Sequence, residues 1–140
     1  MKVNFSSSTT LRVRYGETDQ MGYCYYGNYA QYFEVGRVEA LRDVGLSYKS
    51  LEDRGIMLPV ADFQVSYKVP AKYDDALTIN TEIVEIKGPR LIFNYSITNE
   101  LGKIVATAST ILVFVSKETM RPIAPPQDFI DLMIPHEIKG

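Results

Sequence analysis

One cysteine and one histidine, Cys24 and His136, are all that the sequence holds of those two types, and their scarcity removes whole classes of chemistry. A lone cysteine closes no internal disulfide, and no Cys/His constellation exists to hold a zinc ion, so a reducing cytoplasm is the expected setting. The opening MKVNFSSSTT lacks the apolar run of an export signal, and no stretch approaches the ~20 apolar residues of a membrane span. Neither sign of charge is in excess. A formal net charge of -2 gives no general attraction to nucleic acid or to an anionic membrane, and neither is an expected partner. The sequence also has no internal repeat, low-complexity tract or linker, and 140 residues suit one domain over 1–140.

What is present is organised around YGETDQMGYCYYGNYAQYFEVGRVEALRDVG, Tyr15 to Gly45. A polar, glycine-punctuated loop carrying Asp19 and then three tyrosines runs into one long amphipathic segment. From Asn28 to Val44 the apolar residues recur at three- and four-residue steps, which predicts a helix with Asn28 as its N-cap and Gly45 at its C-terminal end. Gly36 in mid-helix costs roughly 1 kcal/mol relative to alanine, which points to a close neighbour there. Ser47 is placed to cap a second, short helix from Tyr48 to Arg54.

Around this helix the pattern is β. Leu11, Val13 and Tyr15 alternate with Arg12 and Arg14, predicting a half-buried strand after a polar lead at Ser6–Thr10. Met57–Lys68, Leu77–Lys87, Arg90–Asn99 and Lys103–Ser116 are rich in Val, Ile, Thr, Phe and Tyr and predict four more. Gly88-Pro89 and Asn99–Gly102 are short enough to join antiparallel hairpins. Pro122, Pro125 and Pro126 end the sheet, and Gln127–Met133 is expected to form a last helical turn. The fold class is therefore α+β, a sheet of about five strands covering one long helix. Its open edge calls for a second copy of the chain.

A helix start offers unsatisfied backbone N–H groups and the positive end of the dipole, so it can hold a carbonyl oxygen becoming an anion. Asp19, seven residues before Tyr26, is the one acid placed to face it, as nucleophile or as general base for water. The competing reading of Asp19 is an Asx-turn in a Gly/Thr-rich loop. Glu34 and Arg37 stand one helical turn apart and are expected to pair on the helix surface.

Several stretches in this order resemble the hotdog-fold acyl-CoA thioesterases of the 4-hydroxybenzoyl-CoA thioesterase type. They are Arg14-Tyr-Gly-Glu-Thr-Asp-Gln-Met-Gly22, Tyr25-Tyr-Gly-Asn-Tyr29, Tyr32-Phe-Glu-Val-Gly-Arg37, Gly45-Leu-Ser-Tyr48, Leu58-Pro-Val60 and Pro70-Ala-Lys-Tyr-Asp-Asp75. Together they cover roughly Leu11 to Pro122. The resemblance implies a sheet wrapped around a central helix, homodimers that assemble to homotetramers, and acyl-CoA hydrolysis at the dimer interface with no metal or redox cofactor. By position it makes Asp19 the catalytic acid and the backbone N–H of Tyr26, with Gly27, the group that polarises the thioester carbonyl. Many relatives carry histidine where this chain has Tyr26, and others an aromatic residue. Tyr25, Tyr29 and Glu34 are then expected at the acyl pocket and Lys87 and Arg90 at coenzyme A, with Lys68, Lys72 and Arg121 as further basic residues. A non-catalytic protein that binds an acyl or aromatic ligand in the same tunnel is the alternative.

Overall fold

The fold is described from a computed structural model, over residues 1–139. Strand β1 (Lys2–Arg12) leads into the Tyr15–Gly27 loop and the long helix α1 (Tyr29–Val44), which the short helix α2 (Tyr48–Asp53) follows. Next come β2 (Ile56–Met57), β3 (Val60–Tyr67), β4 (Ala76–Lys87), β5 (Arg90–Thr98), β6 (Ile104–Val113) and β7 (Val115–Ser116), then helix α3 (Gln127–Met133). Five strands form one antiparallel sheet in the order β1-β4-β5-β6-β3, and β2 pairs with β7 beside it. The expected architecture is met: one face of the sheet lies over α1, and Phe33, Leu41, Leu77, Ile79, Ile83, Phe93 and Ile97 are fully buried between them.

Three boundaries differ from the sequence expectation. The first strand runs through Lys2–Arg12 rather than Leu11–Tyr15, because Ser6 to Arg12 pair residue by residue with Glu82 to Ala76 of β4. Ladder hydrogen bonds and small side chains beside α1 replace the apolar alternation that a half-buried strand usually shows. Tyr15 instead opens a 3-10 turn and is 78% exposed. The stretch from Met57 breaks at Leu58-Pro59, and the one from Lys103 breaks at Phe114, which is where β2 and β7 leave the main sheet to pair with each other.

The third difference sets up the site. Asn28 does not cap α1 with its side chain; a 3-10 turn over Tyr26–Asn28 runs directly into the helix, and the Asn28 amide instead donates to the Glu17 carbonyl at 2.8 Å. The helical segment thus begins at Tyr26. At the far end Gly45 adopts the left-handed φ of 111° and returns its N–H to Leu41 and Arg42, as its position predicts. Ser47 caps α2 by accepting from the Ser50 N–H at 3.1 Å.

Gly36 has the close neighbour that its position suggests. A Cβ there would lie 2.5 Å from Thr81 Oγ1 and 2.6 Å from Ile79 Cγ2, both on β4. The helix therefore sits almost in contact with the central strands at its midpoint.

Candidate active site

The loop between β1 and α1 is fixed from both sides. Cys24 N–H donates to the Ala71 carbonyl at 2.7 Å, Tyr23 bridges to Lys72, and Val13 N–H donates to the Asp75 carbonyl at 3.0 Å, so the segment after β3 forms one wall. Glu17 forms the other. Its main-chain oxygen accepts from Tyr25 N–H and Asn28 Nδ2, both at 2.8 Å. Its carboxylate, on a side chain 10% exposed, accepts from Arg14 N–H at 2.8 Å, the Arg14 guanidinium at 3.2 Å and the Tyr32 hydroxyl at 2.8 Å. Burial alone would raise the Glu17 pKa; these donors outweigh it and hold the carboxyl below its ordinary value.

Asp19 is half-buried in this loop. Its Oδ1 accepts from Met21 N–H at 2.9 Å and more weakly from Tyr23 N–H at 3.3 Å, which is the Asx-turn. Its Oδ2 has no hydrogen-bond donor among the described residues. The structural and the chemical readings of Asp19 therefore use different oxygens and are compatible.

Asp19 and Tyr26 line one cavity of about 250 Å³, open to the surface, together with Tyr23, Tyr29, Tyr67 and Lys68 among others. Tyr26 is the first residue of the helical turn, and among the described residues neither its N–H nor that of Gly27 has an acceptor. The Tyr26 carbonyl accepts from the Tyr67 hydroxyl at 3.4 Å, and the two rings stand edge to face. Tyr29, buried at the base, has its hydroxyl pushed up to about 12, first by burial, and stays a neutral donor.

The other predicted positions lie elsewhere. Gly27 is off the cavity wall, under the ring of Tyr25, whose Cε2 would be 2.6 Å from a Cβ at 27. Tyr25 is 46% exposed and leans on Tyr26 outside the cavity. Glu34 is exposed on a second cavity of about 300 Å³ with Phe33, Arg37, Val60, Phe63 and Thr110. Arg37 does not pair with Glu34: it is buried, and its guanidinium donates to the Tyr48 hydroxyl at 3.2 Å and the Tyr95 hydroxyl at 3.4 Å. Lys87 and Arg90 face each other at the exposed β4–β5 turn. The Asp19 loop adjoins the opposite end of β4, and the twelve residues of that strand span roughly 36 Å. Within one chain, Lys68 is the basic residue at the Asp19 cavity.

Sequence reasoning passed over Glu17 and Tyr67. Glu17 stands inside the quoted loop motif, and only its burial among donors separates it from the solvated acids. Among the described residues, no group of three or more His, Cys, Asp or Glu side chains is placed to hold a metal ion, and no helix is long and apolar enough to cross a membrane.

Residues 13–132 match the Thioesterase-like superfamily. This chain belongs to that family. It is 32% identical to the acyl-CoA thioester hydrolase YbgC of Escherichia coli O6:H1, over 86% of this chain and 90% of that one. It superposes on the DHNA-CoA thioesterase from Staphylococcus aureus with a TM-score of 0.88 and 35% identity, covering 91% of this chain and 88% of that one. A 4-hydroxybenzoyl-CoA thioesterase mutant complexed with 4-hydroxybenzoyl-CoA gives 0.83 at 28% identity, over 91% and 98% of the two chains. The fold is thus the hotdog fold of these thioesterases.

Proposed function

We propose that this chain is an acyl-CoA thioesterase, hydrolysing a thioester to a free carboxylic acid and coenzyme A. The observation that carries the mechanism is the single cavity shared by Asp19, one of whose carboxylate oxygens no described residue engages, and Tyr26, the first residue of the helical turn. The acyl carbon is attacked either by a water that gives its proton to Asp19 Oδ2, or by Oδ2 itself, forming an anhydride that water then opens. The thioester C–S bond breaks and the thiolate leaves. Negative charge developing on the carbonyl oxygen is held by the Tyr26 N–H, with that of Gly27 beside it; donors of this kind contribute roughly 3–4 kcal/mol. The tyrosine side chain is not asked to transfer a proton, and the chemistry calls for no metal or redox cofactor.

Assembly completes the substrate path. β3 is an edge strand whose Val60, Phe63 and Tyr67 are 46%, 39% and 48% exposed, apolar surface beside unpaired backbone groups. The homodimer pairs β3 with β3 of a second copy about a two-fold axis. That sets the Val60 end of one copy beside the Tyr67 end of the other. The Lys87–Arg90 turn and the Glu34 cavity of one chain then approach the Asp19 cavity of its neighbour, where the basic turn meets coenzyme A phosphates and Tyr29 of one chain and Glu34 of the other border the acyl group. Two dimers form the homotetramer, in the cytoplasm.

The test is thiol release from a panel of short, medium, long-chain and aromatic acyl-CoAs, with Asp19→Asn as the paired variant. Hydrolysis of at least one member, and a ~100-fold or greater loss of kcat in the folded variant, is the expected result. Equal activity of the two proteins would remove Asp19 from the mechanism. A wild type that binds members of the panel and turns none over would leave a ligand-binding protein.

A further inference from the structure

We propose that Glu17 is the positioning residue of this site, the group that holds the Tyr26 and Gly27 N–H pair in place relative to Asp19. The inference rests on the thioesterase reading for its kinetic consequence but on geometry for its substance. The Glu17 carbonyl accepts from Tyr25 N–H, immediately before the pair, and from the Asn28 side chain, immediately after it. Two bonds from one oxygen thus bracket both N–H groups. The carboxylate adds a third attachment through Tyr32, one turn into α1, and Tyr32 Oη in turn lies 3.4 Å from Cys24 Sγ, on the wall of the Asp19 cavity. Glu17 is two residues from Asp19, so loop and helix end are joined through one side chain and one carbonyl.

The chemistry of the network supports a geometric rather than a merely stabilising role. A carboxylate buried to this extent is costly to desolvate, and its one cationic neighbour, Arg14, has a side chain 80% exposed. Buried ionic groups can often be replaced by apolar ones without loss of stability, so the three donors gathered on this carboxylate are read here for the arrangement they impose. Here that arrangement fixes donors which must meet a developing oxyanion within a few tenths of an ångström.

The test uses Tyr32→Phe, which deletes only the hydroxyl, and Glu17→Gln, which keeps the shape and removes the charge. In both, amide exchange at Tyr25 and Asn28 is expected to quicken at least tenfold by NMR, while the β4, β5 and β6 amides stay within twofold of wild type. With the best acyl-CoA of the panel, kcat per folded protein is expected to fall at least tenfold, with KM within threefold. A purely structural residue would lower the melting temperature and leave kcat of the folded fraction alone. Unchanged exchange at Tyr25 and Asn28 in both variants overturns the proposal, and so does quickened exchange with unchanged kcat. If the wild type hydrolyses no member of the panel, the thioesterase reading fails on that result while the exchange measurement alone decides the anchoring role.

Discussion

At Asp19 the two carboxylate oxygens differ in environment: Oδ1 is held by backbone N–H groups, and Oδ2 has no donor among the described residues, on a side chain that lines the cavity. Fixing one oxygen orients the other, which explains why a loop aspartate rather than a helical one suits this position. Glu17 is the contrasting acid. With its pKa depressed in the folded chain, its ionised form contributes stability in full above the ordinary carboxyl value of 4.5, and that contribution is lost as pH falls through the lower folded value. Urea midpoints measured from about pH 6 to about pH 3 should therefore decline more steeply for wild type than for Glu17→Gln. Parallel declines would mean that Glu17 titrates alike in both states. These two acids also mark what the sequence could convey. Asp19 stood out because its loop motif and its distance from Tyr26 are readable in one dimension. The role of Glu17 depends on a tyrosine fifteen residues later and on exclusion of water, neither of which spacing encodes.

Among the elements, α1 was the most readable, since its three- and four-residue apolar period has no other interpretation; only its first turn shifted, because the Asn28 side chain serves Glu17 rather than the helix. β1 was the least readable. Its Ser6–Thr10 stretch has the polarity of a loop and becomes a strand because β4 supplies a complete ladder. The packing of α1 on β4 turns on Gly36, where a methyl group would meet two stiff β-branched side chains, Thr81 and Ile79. Overpacking of this kind costs about 1–3 kcal/mol, against a helix-propensity gain of about 1 kcal/mol for alanine. Gly36→Ala is expected to lower stability by up to about 2 kcal/mol, read as a reduced urea midpoint at unchanged slope. A stabilised variant would show that α1 can move off the sheet freely.

For the whole molecule the decisive feature is the distance between the Asp19 loop and the Lys87–Arg90 turn, at opposite ends of β4. Charge alone does not separate Lys68 from Lys87; the fold sets Lys68 on the Asp19 cavity and Lys87 at the far end of β4, and on the proposed assembly Lys87 reaches that cavity from a neighbouring copy. Phe63→Lys places a charge on the β3 edge and is expected to give a monomer by light scattering at micromolar concentration, with thioesterase activity falling at least tenfold. A fully active monomer would show that one chain suffices for substrate binding. A different consequence follows from the proposed donors at Tyr26 and Gly27 being main-chain N–H groups, which every amino acid except proline carries. The codon for the exposed Tyr26 can drift through most of the genetic code without deleting a donor, whereas a side chain at 27 would also have to displace the Tyr25 ring. On the proposed mechanism the side chain at 26 is left open to selection for a new acyl group, and inactivating point mutations are expected to concentrate on Asp19 and the residues that hold the helix end in place.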